Sequence, residues 1–351
     1  MFQFKEKISI KIMGIIILLL LIITAIRIVT KDGNNKTNTE TEDYKPMIGI
    51  SADSLVIERW QRDVEILKNK GEEAGYNVEV VNAYEDADKQ KQQIKSLIEQ
   101  KAKVIFIIAY DKDSLSEVIE EARRKNIIII SYDRLIRNAN VDAYVSFDNV
   151  AVGEYMAKAL VEKVPKGNYV IINGSSKDNN STMFNEGYYN ILQEYIDKED
   201  IKIVKEVWAE DWREEFAYDA VSELLEEGIK IDGIIGANDR LAESSISVLS
   251  EYGLVGKVPV VGHDADISAC QNIIEGKQLM TVYKPIKNLA EGAFKVAMSL
   301  LAKQDQKSEE TIFDGTYDVP YFKFDAIPVD ASNMKETVIA DLFHKEEDIY
   351  R

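Results

Sequence analysis

The chain has 351 residues, 46% apolar and 30% charged, which is enough for two domains of about 150 residues each and excludes disorder throughout. Its single cysteine, Cys270, excludes an intrachain disulfide, a zinc finger and a multi-cysteine iron–sulfur centre. A formal net charge of -18 argues against a nucleic-acid partner, whose phosphates require clustered Lys and Arg.

In chain order, a basic head comes first. Lys5, Lys7, Lys11, Arg27 and Lys31 against Glu6 make residues 1–31 +4, so the remainder carries -22. From Ile12 to Thr30 only Arg27 is charged, and Ile12 to Ile26 is dominated by Ile and Leu. About 20 such residues span a bilayer, and an Arg near the outer end can snorkel. A single-pass transmembrane anchor is therefore expected. The preceding lysines place the amino terminus in the cytoplasm and the body outside the cell. The competing reading is a cleaved signal peptide. Thr24-Ala25-Ile26 is a poor cleavage site for one, and no cysteine follows the apolar run to take a lipid. Residues 32–46, DGNNKTNTETEDYKP, read as a flexible tether.

A folded body is expected from Met47. Met47 to Ser51 is a strand, Ile57 to Ala74 a helix ending near Gly75, and Tyr76 to Val81 a second strand. Helix Asp86 to Gln100, strand Val104 to Ile108, helix Ser114 to Lys125 and strand Ile127 to Ile130 follow. The rhythm resumes with strand Tyr169 to Ile172 and helix Thr182 to Tyr195. Strands Ile203 to Val207, Ile231 to Ile235 and Val258 to Val261 come next, with helices Glu214 to Glu227 and Ala242 to Tyr252 among them. A helix Ile286 to Leu301 and a terminal segment Asp325 to Leu342 must pack on one half or the other. Strand–helix repetition with continuous apolar strands predicts α/β architecture, with parallel sheets buried on both faces and two similar domains.

In such sheets the functional residues follow the strand carboxyl ends. Those positions read Asp53 and Glu58-Arg59-Trp60, Ser131-Tyr132-Asp133-Arg134, Asn173-Gly174-Ser175 with Asp178-Asn179-Asn180, Gly236-Ala237-Asn238-Asp239, and Gly262-His263-Asp264. Short carboxylates, amides and Arg with tryptophans nearby suit a neutral polyol: Asp and Asn pair with vicinal hydroxyls, and Arg donates a rigid fork. An anion would be repelled by Asp133, Asp178 and Asp264. Asp178, Asn180 or Asp264 could instead cap a helix. His263 beside Asp264 resembles a general base, but no nucleophile is placed to match it. Trp208 reads as structural, His344 as surface, and Cys270 as a small buried residue. No GxGxxG or GxxxxGK loop follows a strand.

The sequence resembles the sugar-binding members of the periplasmic ribose/galactose-binding superfamily, and within it the D-xylose-binding proteins. The segments that carry this are LVIERWQRD (55–63), SYDRLIRNANVDAYVSFDNVAVGEYMAKALVEKVPKGNYVIINGSSKDNN (131–180), GANDRLAESSISVLSEYGLVGKVPVVGHDAD (236–266), MTVYKPI (280–286) and the late VPVDASNMKETVIADLFHKE. The resemblance covers about residues 46–346. It implies a type I periplasmic-binding-protein fold: two Rossmann-like lobes with parallel sheets, joined by a three-stranded hinge, with the sugar clamped between them. The expected lobes are 47–149 with 285–328, and 150–284 with 329–346. Hinge crossings are expected near Asp148–Val150, near Lys284–Ile286 and at the last strand.

The sugar contacts the resemblance implies are Arg59, Trp60, Asp133, Arg134, Asp178, Asn180, Trp212, Asn238, Asp264 and Lys284, with Trp60 and Trp212 as stacking faces. Two positions depart from the pattern: His263 stands where Gln is common and Arg62 where Lys is common. Both are expected behind the contact layer. No catalytic residue, cofactor or metal is implied. The anchored form resembles xylose-binding proteins that partner a LytS-type sensor histidine kinase, and the resemblance implies a 2:2 assembly with it. The leading expectation is a D-xylose sensor that closes on the sugar and regulates such a kinase. The alternative is the binding component of a D-xylose ABC importer, partnered by a permease. An enzyme would convert the sugar that a binder returns unchanged, and a repressor would carry a DNA-binding head where the apolar span lies.

Overall fold

A computed structural model describes residues 45–304, 308 and 310–350. The expected anchor, residues 1–31, and all but the end of the tether lie outside the described residues. Among the described residues no helix is long and apolar enough to cross a membrane.

The chain alternates strand and helix through its first half: β1 (Met47–Ala52), α1 (Glu58–Glu73), β2 (Asn77–Asn82), α2 (Ala87–Glu99), β3 (Val104–Ile107), α3 (Ser116–Arg124), β4 (Ile128–Tyr132) and β5 (Ala143–Phe147). These strands form a sheet in the order β2-β1-β3-β4-β5, all parallel. Strands β3 and β5 are buried along their whole length, as expected of a sheet covered on both faces. Helix α2 starts where the Asp86 side chain accepts the Lys89 N–H at 2.9 Å.

Helix α4 (Asn149–Lys163) leads into a second parallel sheet of four strands. Its elements run β6 (Gly167–Asn173), α5 (Asn179–Asp197), β7 (Ile201–Trp208), α6 (Glu215–Glu226), β8 (Gly233–Gly236), α7 (Asp239–Glu251), β9 (Val260–Val261) and α8 (Ile267–Ile274). The chain returns through β10 (Thr281–Tyr283) into α9 (Ile286–Leu301). Strand β11 (Glu310–Phe313) then forms an antiparallel hairpin with β12 (Asp318–Phe324), and β12 lies parallel to β5 on the first sheet. Finally β13 (Ile327–Val329) pairs antiparallel with β10. The chain therefore passes between the sheets near Asp148, near Lys284 and between Phe324 and Ile327. The Asp148 N–H donates to Phe324 O at 3.0 Å, tying the first and last of these passages together.

Several elements were not anticipated from the sequence, β5 and α4 among them. Strand β5 is only five residues long. Helix α4 buries Val152, Gly153, Met156, Ala157, Leu160 and Val161 in a regular stripe, but Gly and Ala lie on that stripe while Tyr155 and Ala159 lie off it, so the hydrophobic contrast between its faces is weak. Tertiary packing also places the two ambiguous segments. Helix α9 lies on the first sheet, with Gly292 against the Phe324 ring and Glu291 3.2 Å from Lys70 of α1. The terminal segment is not one helix. Its Val329, Met334, Val338 and Ile349 pack with Ala265, Cys270 and Ile273 of the second half. His344, expected at the surface, is half-buried, and its Nε2 meets Ala265 O at 2.8 Å.

Candidate functional site

The carboxyl ends of both sheets face one cavity of about 380 Å³. Strand β1 delivers Asp53, β3 delivers Tyr110, and β4 delivers Asp133 and Arg134. The first turn of α1 adds Arg59 and Trp60. From the second sheet come Ser175, Asp178 and Asn180 after β6, Trp212 after β7, Asn238 after β8, and His263 and Asp264 after β9. Lys284 follows β10. All ten residues named above as sugar contacts line this cavity. Asp53 was noted at its strand end but not carried among the sugar contacts, and Tyr110 was missed although it too follows a strand. Phe184 was missed because it lies within α5.

Arg62 does not line the cavity. It faces the terminal segment, where Nη1 donates to Phe343 O at 2.8 Å and the guanidinium sits 4.9 Å from the Phe343 ring centroid. Trp208 is also outside, 37% exposed at the end of β7. His263, expected behind the contact layer, is in the lining itself.

Two ion-pair networks occupy the cavity walls. Arg134 donates through Nη1 to Asp53 Oδ2 at 2.7 Å, and its Nε lies 2.8 Å from Asp178 Oδ2. Asp178 also caps α5, accepting the Asn180 N–H at 2.9 Å, so the capping role is filled by a residue that also lines the cavity. Asn238 likewise caps α7, accepting the Leu241 N–H at 3.0 Å. In the second network Arg59 pairs with Asp133, while its other nitrogens lie 3.5 Å from Asp63 and 3.6 Å from Asp264. Asp264 Oδ1 is also 3.5 Å from Lys284 Nζ. Asn180 Nδ2 donates to Asp133 Oδ1 at 3.0 Å. Among the described residues Asp264 caps no helix; its φ is 102°, and α8 starts after Asp266 without a side-chain cap.

Several of these links join the two sheets: Arg134 to Asp178, Asn180 to Asp133 and Arg59 to Asp264. At the mouth, the Tyr110 hydroxyl donates to Asp211 Oδ1 at 2.7 Å, and Lys177 Nζ reaches the same oxygen at 3.1 Å. The Lys112 N–H donates to Lys177 O at 2.9 Å. The two halves are in contact around the cavity.

Carboxylates outnumber cations here. Asp53, Asp63, Asp133, Asp178 and Asp264 face Arg59, Arg134 and Lys284. Burial pushes Asp53 up to about 6 and Asp63 up to about 7, and raises Asp178, despite the arginine beside each. Burial opposes ionisation of Asp264 as well, yet its carboxyl is held below the usual range. The charges responsible are those of His263, which is protonated at the low pH where Asp264 titrates, and of Lys284 and Arg59. An anionic guest would add to this excess of negative charge; a neutral polyhydroxyl guest would not.

The walls also hold polar atoms that lack a hydrogen-bond partner among the described residues: Arg59 Nε, Trp212 Nε1, both His263 nitrogens and Asp264 Oδ1. Such atoms are costly to bury unpaired, and a guest with several hydroxyls could pair with them. Apolar faces complement them. Trp60 lies beneath the Arg59 guanidinium at 4.4 Å. Trp212 rides a strained turn in which Asp211 and Trp212 have φ of 54° and 59°. A Cβ at Gly174 would fall 2.2 Å from Trp212 Cη2, so only glycine admits the indole against the end of β6.

Burial, helped by the Lys284 charge, lowers His263 to about 3 from an ordinary 6.5. The unfolded chain therefore takes up a proton near pH 6.5 that the folded chain refuses. This stabilisation is complete above pH 6.5 and is lost progressively as the pH falls toward 3. Between pH 6.5 and 5 the loss from this residue is expected to be about 2 kcal/mol. Thermal unfolding of wild type and His263→Gln across that range checks it; identical slopes would refute the buried neutral imidazole.

The comparisons with known proteins agree with this geometry. A family model described as "Periplasmic binding protein domain" matches residues 48–305. The chain is 40% identical over 314 residues to the D-xylose-binding periplasmic protein of Escherichia coli, covering 89% of this chain and 95% of that protein. It is also 40% identical over 315 residues to the protein of the same description in Haemophilus influenzae, covering 90% and 94%. Among solved structures, a carbohydrate transporter solute-binding protein from Chloroflexus aurantiacus in complex with D-glucose superposes with a TM-score of 0.79 at 26% identity, covering 87% of this chain and 98% of that one.

Proposed function

The chain belongs to the periplasmic-binding-protein family, and from that premise we propose that it is an extracytoplasmic receptor for D-xylose. The family binds its ligands without transforming them, and the chain is a binding protein rather than an enzyme. The observation that carries the xylose reading is the cavity: buried Asp–Arg networks and unpaired polar atoms, with two indole faces, joined from both sheets. The relatives described as D-xylose-binding supply the choice of sugar.

In this reading residues 47–149 with 285–328 form one jaw, and 150–284 with 329–346 the other. The three passages between the sheets act as the hinge. Sugar settles on one jaw, and closure completes the remaining hydrogen bonds and excludes water. The ligand favours the closed form only by its greater affinity for it.

The closed jaws would present a changed surface to a membrane partner. Delivery to the permease of an ABC importer is the reading that the transport relatives support. One sequence observation favours a second. An apolar run precedes the body, and the only cysteine is Cys270, far from that run. An anchor of this kind suits a membrane-tethered sensor in a 2:2 assembly with a LytS-type histidine kinase. Cross-linking in native membranes separates the two: recovery of a permease supports delivery, and recovery of a histidine kinase supports sensing.

Calorimetry with D-xylose tests the sugar itself, and an absence of binding heat and of thermal stabilisation would refute it. Trp212→Ala should weaken binding about 10- to 100-fold, because it removes an aromatic face and enlarges the cavity. Unchanged affinity would remove Trp212 from the binding surface.

A further inference from the structure

His263 stands out among the lining residues. It is 2% exposed, and both ring nitrogens lack a hydrogen-bond partner among the described residues. The ring is held firmly. Phe184 meets it edge-on with centroids 4.5 Å apart, and the Trp212 ring lies within 20° of parallel at 6.4 Å. His263 Nδ1 is 3.9 Å from Asp264 Oδ2, too far for a direct hydrogen bond. One hydroxyl oxygen placed about 2.8 Å from each atom spans that gap.

The protonation states suit such a bridge. Asp264 is ionised and can only accept. The neutral imidazole offers one donor and one acceptor. A bridging hydroxyl donates its proton to Asp264 and accepts the Nδ1–H, which leaves Nε2 as an acceptor. A ligand lacking that hydroxyl leaves a buried N–H unpaired, so the site discriminates against it.

We propose that His263 is a ligand-contacting, specificity-determining residue, bridged to the Asp264 carboxylate by one hydroxyl of the bound sugar. The inference rests on the D-xylose reading of the same cavity.

The test is calorimetry of wild type, His263→Gln and His263→Leu with D-xylose and its 2-, 3- and 4-deoxy analogues, alongside thermal melts of the unliganded proteins. Wild type should bind D-xylose and lose about tenfold or more in affinity for the analogue that lacks the bridging hydroxyl. His263→Leu should bind D-xylose about tenfold more weakly and show almost no further loss for that one analogue. His263→Gln, which keeps a donor and an acceptor, should recover most of the affinity. If His263→Leu does not fold, His263→Met takes its place in the same comparison. Wild-type affinity in the apolar variant, or an equal weakening toward all four sugars, overturns the contact while leaving the xylose reading intact. Failure of wild type to bind D-xylose overturns that reading and the inference with it.

Discussion

Asp264→Ala is expected to lower affinity for D-xylose by on the order of 100-fold. The carboxylate Oδ1 lies 3.5 Å from Lys284 Nζ and 3.6 Å from Arg59 Nη1, without a hydrogen-bond partner among the described residues. It is thus the anion between two buried cations, with an oxygen left open to accept from the proposed guest. Hydrogen bonds to a charged group contribute about 1.5–3 kcal/mol, and each 1.4 kcal/mol is tenfold in affinity. Deleting the group also leaves Lys284 and Arg59 facing one another without their shared anion, an arrangement that destabilises further. Burial already lowers the Lys284 ammonium below its ordinary value. Removing Asp264, which opposes that shift, should let Lys284 lose its proton at a lower pH than in wild type, so residual binding should vary with pH across the neutral to alkaline range. Calorimetry across that range is the measurement. Wild-type affinity in Asp264→Ala would show that the carboxylate does not meet the sugar.

The second large effect concerns stability. Helices α4 and α5 cross where Gly153 meets Gly187, backbone against backbone. A Cβ at Gly153 would lie 2.2 Å from Phe184 O and 3.1 Å from Gly187 Cα. A Cβ at Gly187 would lie 2.1 Å from Val150 O and 2.8 Å from Glu154 N. No flexible side chain can yield there, so the helices themselves must separate. Overpacking ordinarily costs about 1–3 kcal/mol, and Gly187→Val, which adds a branched side chain, should exceed about 3 kcal/mol. Chemical denaturation measures it directly. Because Phe184 packs on His263 at the cavity, the milder Gly153→Ala should also weaken sugar binding. Full stability in Gly187→Val would mean the helices do not cross this closely.

Much of the site was legible in the sequence for a local reason. Apolar runs such as Ile128–Ile130 mark buried parallel strands, and polar residues directly after them, such as Asp133 and Arg134, fall at the sheet edge where ligands gather. Trp212 and Asn238 follow the same logic. Asp53 obeyed it too, and its adjacency to β1 was the available signal. Arg62 misled because it shares a helix with Arg59 and Trp60. Three residues beyond Arg59 it points toward Phe343, a contact 281 positions away in the chain. His263 could not be placed by adjacency to Asp264, since its packing against Phe184 and Trp212 comes from other elements of the fold.

By itself the sequence determined the α/β class, the strands that end at the candidate site and most of that site's polar residues, and it led to the expectation of a neutral guest. These follow from hydrophobic periodicity and from charge, both of which are written locally. Only the tertiary structure decided that α9 returns to the first sheet and that the tail packs on the second. It also paired Arg134 with Asp178 and Tyr110 with Asp211, and brought His263 into the lining. Those outcomes depend on how two sheets face each other across three chain passages, and no local pattern encodes the distance between residues on opposite jaws.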